Sequence, residues 1–263
     1  MKPEFDFTLF KPKGRLLNEV QAIWSAKTSP QNVSHIQRWL NCDACSGIVF
    51  HFNGDIALND TAYSPGVLLL PVSKQAQLIS LPPGAELMGI RFHPAVSFGL
   101  LGSLYSRPTY LTLNREDAFN VDLYALYERL AKIAGQHGQI AALYRWLDKM
   151  IRSAHVLPDP LKHALKTIDK NCNGQLKLGM LNHSVPLSQR QTERQFQKWM
   201  SMTPKYYQRI LRVKKAMHFL KYAAETSLAN VAFEHGFTDQ AHMTREFTHI
   251  AKVTPMEYRK RVT

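Results

Sequence analysis

Two clusters of hydrogen-bonding side chains stand at matched positions in this 263-residue chain: Gln189, Arg190, Glu193 and Arg194 in one, Gln240, Ala241, Thr244 and Arg245 in the other. Such groups can read base edges in a DNA major groove. Arginine forks onto guanine O6 and N7, glutamine onto adenine N6 and N7, and the methyl of Ala241 is small enough to meet a thymine methyl. Glu193 has two readings of equal weight: it accepts from cytosine N4, or it holds Arg190 or Gln197 in place. Arg194 and Arg245 each adjoin a core phenylalanine and have carboxylates in their own segment to pair with, yet contact with phosphate or base outweighs that alternative. Lys198, Lys205, Lys252 and the helix N-termini are the candidates for holding phosphates.

The stretches that carry these residues repeat. Laying Ser188–Tyr207 on Asp239–Tyr258 pairs Gln189 with Gln240, Arg194 with Arg245, Phe196 with Phe247, Thr203 with Thr254, Pro204 with Pro255 and Tyr207 with Tyr258, each pair 51 residues apart. A constant offset through so many positions implies two copies of one supersecondary unit. Ser188 with Gln191 has the capping-box pattern, Asp239 suits an N-cap, and Thr203-Pro204 and Thr254-Pro255 each open a following helix. Thr192, Phe196 and Trp199 form one apolar stripe, and Met243, Phe247 and Ile250 the other. The opposite faces carry Arg190, Arg194 and Gln197, then Ala241, Arg245 and Thr248. With amphipathic segments Gln175–Leu181 and Leu228–His235 upstream, each copy has the helix-turn-helix pattern. Pro204–Ala223 between them is expected as one helix, with Tyr207, Ile210, Leu211, Lys214 and Met217 or His218 on one side. Its length of about 30 Å approaches the spacing of successive major-groove openings.

Charge agrees with a nucleic-acid partner. Lys and Arg number 33 against 20 Asp and Glu, and from Leu161 onward the count is 18 against 7. The basic excess therefore sits with the duplicated helices, as a footprint for phosphates would. Basic charge alone would leave a solvated surface the preferred reading; the doubled motif reverses that.

The last hundred residues, from about Leu161 to Val262, resemble the DNA-binding domain of the AraC/XylS family of transcription regulators. The family's first pattern is met by Ser188, Arg190, Arg194, Phe196, Thr203, Pro204, Tyr207, Arg212 and Ala216, with Thr192 and Ser201 replacing its usual Leu and Gly. The second is met by Gly236, Phe237, Asp239, Gln240, Ala241, His242, Arg245, Phe247, Thr254, Pro255, Tyr258 and Arg259, with Met243 in place of an aromatic. The resemblance implies a transcription regulator, activator or repressor, with double-stranded DNA as partner and RNA polymerase as a second one; the charged first thirty residues and the lack of a disulfide framework point to the cytoplasm.

The N-terminal part has a different period. Gly47–Phe52 alternates and runs into Asn53-Gly54, a hairpin signal with Asp55–Leu58 returning. Val67–Leu70, Ala76–Ser80 and Glu86–Phe92 follow between Pro- and Gly-bearing turns, which suits an antiparallel sandwich or barrel. Ile48, Phe50, Phe52, Leu78, Ile79, Ile90 and Phe92 would line a barrel mouth or, preferably, a closed core. Ala118–Ile133 and Gln139–His155 are helical, with stripes at Leu123, Leu126, Tyr127 and Leu130 and at Leu143, Trp146, Leu147 and Met150. They would either cover the sheet or pair two subunits. Val156–Pro160 is the expected linker. The fold class expected is α+β in two domains: a β-rich regulatory or dimerisation domain over 1–157, and an all-α double helix-turn-helix domain over 161–263. The order of features in the first also looks like the β-rich region of some AraC-type regulators, which implies a small-molecule effector or a homodimer.

Other chemistries find little support. Cys42-x-x-Cys45 could begin a zinc site, but a tetrahedral site needs four ligands and only His51 is near in sequence. Structural thiols are preferred, and three cysteines form no disulfide framework. His93 before Pro94 reads as a turn residue. No His-x-His, Gly-rich phosphate loop, G-x-S-x-G elbow or H-E-x-x-H is present. An enzyme fused to a DNA-binding tail, cupin-like or alkyl-transferring, is therefore the lesser reading; the second would need an activated cysteine, and Cys42 and Cys45 lack a basic neighbour. The expectation is no catalysis, no metal and no cofactor. Apolar runs such as Val67–Leu70 are far too short to span a bilayer, so no membrane role is expected.

Overall fold

The computed structural model describes residues 4–101, 109–112, 114–153, 156–173, 186–223 and 225–262. The chain forms two compact units, one of residues 1–40, 45–72 and 77–156, the other of residues 41–44, 73–76 and 157–263.

The first unit holds strands β1 (Phe5–Phe10), β2 (Val20–Thr28), β3 (Ile36–Leu40), β4 (Ser46–Asn53), β5 (Ile56–Leu58), β6 (Thr61–Tyr63), β7 (Gly66–Leu70), β8 (Gln77–Leu81), β9 (Glu86–Phe92) and β10 (Thr109–Leu111). A six-stranded sheet runs β1-β2-β9-β4-β7-β10 and a four-stranded sheet runs β3-β8-β5-β6. Every described pairing is antiparallel. Helices α1 (Val96–Leu101), α2 (Ala118–Lys132) and α3 (Gln136–Ser153) complete the unit.

The central strands β4, β7 and β9 of the larger sheet are buried on both faces, and their side chains divide with period two. Ile48, Phe50, Val67, Leu69, Met88, Ile90 and Phe92 share a core with Leu123, Leu126, Leu130, Leu143 and Leu147 of the helices. Their alternates Val49, Leu68 and Leu87 join Ile56 and Leu81 of the smaller sheet in a second core. The apolar residues of the strands therefore make closed cores, with Phe52 and Ile79 packed at their margins.

Two expectations are corrected. Asn53-Gly54 does turn the chain, with Gly54 at φ 76°, but no hairpin forms: β4 pairs with β7 and β9, while β5 pairs with β6 and β8. Both edges of β4 are taken, so the turn carries the chain from one sheet to the other. The stripes of α2 and α3 are likewise not a subunit interface. Leu123, Leu130, Leu143 and Leu147 have no solvent exposure, because these helices cover the chain's own sheet.

The second unit is helical: α4 (Asp159–Lys170), α5 (Gln189–Met200), α6 (Pro204–Tyr222), α7 (Leu228–Glu234), α8 (Gln240–Ala251) and α9 (Pro255–Val262). Helix α6 buries Tyr207, Ile210, Leu211, Val213, Ala216, Met217 and Leu220. Lys214 and His218, expected on that side, are exposed, as is Lys221 on the same strip of the helix. The linker contains Pro158 as N-cap of α4, with Pro160 inside its first turn. The segment Gln175–Leu181 lies outside the described residues. No described helix is long and apolar enough to cross a membrane.

Candidate nucleic-acid interface

The two matched stretches fold as matched objects. Ser188 caps α5 through the backbone N–H of Gln191, whose side chain returns the bond to Ser188 N–H at 2.8 Å. Asp239 caps α8, accepting from His242 N–H at 2.7 Å. Thr203 and Thr254 accept from the N–H of Tyr206 and Glu257 and so start α6 and α9. The equivalence extends to ring contacts. Phe196 meets Tyr207 at 6.0 Å, and 51 residues on Phe247 meets Tyr258 at 5.7 Å.

Each stripe lies where expected. Thr192, Phe196, Trp199, Met243, Phe247 and Ile250 are buried. Gln189, Arg190, Glu193 and Arg194 are exposed on α5, as are Gln240, Ala241 and Arg245 on α8, with Thr244 half-buried. Among the described residues no ion pair engages Arg190, Arg194 or Arg245. The pairing within their own segment is thus not what the structure offers, and three guanidinium forks face solvent. Arg190, Glu193, Arg194, Gln197, Lys198 and Thr203 line an open groove of about 540 Å³.

Two of these side chains have local partners that narrow their chemistry. Glu193 accepts from Gln189 Nε2 at 3.1 Å, not from Arg190 or Gln197, so this glutamine and glutamate, one helical turn apart, form one unit. Thr244 donates its hydroxyl to Gln240 O at 2.9 Å, which leaves its methyl and lone pairs for a partner. Lys198 and Lys205 are exposed near the turn between α5 and α6, and Lys252 is exposed as the left-handed cap after α8.

The turn of the second copy is held by a residue that no local pattern marks as structural. Arg212 of α6 donates from Nη1 to Gly236 O at 3.0 Å, and its guanidinium stacks 5.2 Å from the Phe237 ring. His235, the C-cap of α7, is 9% exposed, and among the described residues neither ring nitrogen has a hydrogen-bond partner. Burial holds its imidazole below the ordinary value.

Cys42, Cys45 and Cys172 are buried thiols that form no disulfide among the described residues. Burial pushes the Cys172 thiol up, opposite to the shift an alkyl-accepting thiolate needs. Among the described residues, no three His, Cys, Asp or Glu side chains cluster as metal ligands.

Comparison with known proteins agrees with this geometry. Residues 182–261 match the family model described as a helix-turn-helix domain. Over 99% of this chain and 100% of its own, ToxT from Vibrio cholerae has a similar fold, with a TM-score of 0.52 and 11% identity. A structure of ToxT bound to (E)-4-(8-methylnaphthalen-1-yl)but-3-enoic acid matches over the same shares with a TM-score of 0.51 and 10% identity. A transcriptional regulator from Chromobacterium violaceum with an AraC-type DNA-binding domain is 24% identical over 40% of this chain and 93% of its own, with a TM-score of 0.38. No curated protein sequence matches this one.

Proposed function

We propose that the chain is a DNA-binding transcription regulator of the AraC type and that α5 and α8 are its two recognition helices. They read adjacent major-groove segments of double-stranded DNA in a sequence-specific way. The observation that carries this is the pair of capped helices with matched buried stripes and exposed Gln and Arg at equivalent positions. Gln189 with Glu193, Arg190 and Arg194 read one segment; Gln240, Ala241, Thr244 and Arg245 read the other. Lys198, Lys205 and Lys252 hold flanking phosphates. Helix α6, 19 residues long, spans about 28 Å at 1.5 Å per residue, a rigid spacer for two reading heads about one helical turn apart.

The first unit is proposed to regulate the second by binding a small molecule. ToxT, whose fold this chain shares, has been solved with a carboxylic acid bound. A homodimer, the alternative role, would have to use surfaces other than the α2 and α3 stripes. We place the protein in the cytoplasm beside RNA polymerase, without a reaction to catalyse, as the AraC/XylS resemblance implies.

Selection of bound sites from random duplexes by the full chain tests the reading. Two specified segments about ten base pairs apart are expected; a single short segment, or none, would leave one recognition helix or both without a role. Thermal unfolding of the full chain with and without carboxylic acids tests the effector, and sedimentation tests the dimer.

A further inference from the structure

A carboxylate is buried at the base of the second recognition helix, where the helix-turn-helix pattern does not require one. Glu246 of α8 is 8% exposed. Arg209 of α6 donates from Nε to its Oε1 at 2.8 Å, and His242 Nε2 lies 3.3 Å from the same oxygen. The other edge of His242 accepts at Nδ1 from the backbone N–H of Thr238 at 3.2 Å, which leaves the ring hydrogen on Nε2, toward Glu246. Thr238 immediately precedes the N-cap Asp239, and Asp239 in turn accepts from His242 N–H. These contacts form a continuous path from α6, through one oxygen of Glu246, to the entry turn of α8.

We propose that Arg209, Glu246 and His242 are positioning residues that set the rotation and entry angle of α8 and so aim Gln240, Ala241 and Arg245 at their bases; the inference rests on the reading of α8 as a recognition helix. Stability is a poor reason for the arrangement. A buried ion pair gives back in attraction about what it loses in desolvation, and well-packed apolar replacements are often neutral or stabilising. Among the described residues Glu246 Oε2 has no hydrogen-bond partner, a further cost that an apolar residue would avoid. Direction is what such a pair supplies and a methionine does not. An apolar contact tolerates rotation of α8 about its axis, whereas Nε to Oε1 and Nδ1 to Thr238 N–H do so only over a small angle. Arg209 is itself restrained, its guanidinium 5.2 Å from the Tyr206 ring.

The test replaces Arg209 and Glu246 together by methionine in the full chain, with Arg245→Ala as reference. Three quantities are read: melting temperature, hydrogen exchange at the Thr238 and His242 amides, and the ratio of affinities for a selected and a random duplex. The expected result is an unchanged or raised melting temperature, exchange faster by roughly tenfold at both amides, and a ratio lowered by roughly tenfold at the α8 half of the site. Glu246→Gln, which keeps acceptor and volume, should restore most of both. Unchanged exchange overturns the proposal, as does a lowered melting temperature with an intact ratio. His242→Leu severs only the α8 arm and carries the same test should the methionine pair not fold. If Arg245→Ala leaves the ratio untouched, the base reading fails, and the exchange rates still decide whether the path positions α8.

Discussion

Ser201 and Lys252, 51 residues apart, both hold the left-handed backbone, with φ of 52° and 59°. Each ends its helix, α5 or α8, as C-cap, its N–H bonded to the carbonyl of Gln197 or Thr248. Left-handed residues with a Cβ cost about 1 kcal/mol or more, so a position that prefers glycine carries serine in one copy and lysine in the other. The repeat is therefore preserved in backbone conformation even where its residue types have diverged.

Relief of that strain is measurable. Ser201→Gly should stabilise the chain by roughly 0.5 kcal/mol, the strain removed less the entropy glycine adds to the unfolded state. A rise in melting temperature of about 1–2 °C is expected. A fall would mean that the Ser201 side chain holds something the backbone does not show.

Acid should loosen the second unit through His235. Burial, aided by the charge of Lys215 and outweighing the opposing charge of Glu234, lowers its affinity for a proton in the folded state relative to the ordinary value of 6.5. The unfolded chain then binds the proton more readily, so stability is full above that value and is lost as pH falls below it. His235→Leu should flatten the fall in melting temperature between pH 7 and pH 5. His51 in the first unit is lowered by burial as well, so part of the dependence should remain. A variant with the full wild-type dependence would remove His235 from the account.

Base reading predicts locality. Arg245→Ala should relax preference at one segment of the site and Arg190→Ala at the other, each at a cost of roughly 1–3 kcal/mol in discrimination. Competition with duplexes mutated one position at a time reads this directly. Uniform weakening across all sequences would make both arginines phosphate clamps.

What the sequence disclosed follows the reach of its signals. Ser188 with Gln191, Asp239, and Thr203-Pro204 act within one turn of helix, so the helical elements and their exposed faces were legible from short windows. Asn53-Gly54 is as strong a local signal and misled, because turn chemistry marks a reversal without choosing the strand that follows it. Strand β2 buries Val20, Ile23, Ser25, Ala26 and Thr28, a pattern without clean alternation, and so escaped notice. Arg209 and Glu246 stand 37 positions apart and meet only through the packing of α6 on α8. The pairing of Gln189 with Glu193 was within reach, since residues four apart on a helix are neighbours.

The central claim, sequence-specific recognition of duplex DNA by the doubled helix-turn-helix, is tested most directly by titrating the full chain against a selected and a random duplex over a series of salt concentrations. For both, log K should fall linearly with log salt, at about −0.9 per phosphate neutralised. The selected duplex should remain tighter by a factor of roughly 1,000 or more. A flat salt dependence, or equal affinity for the two duplexes, would contradict the account.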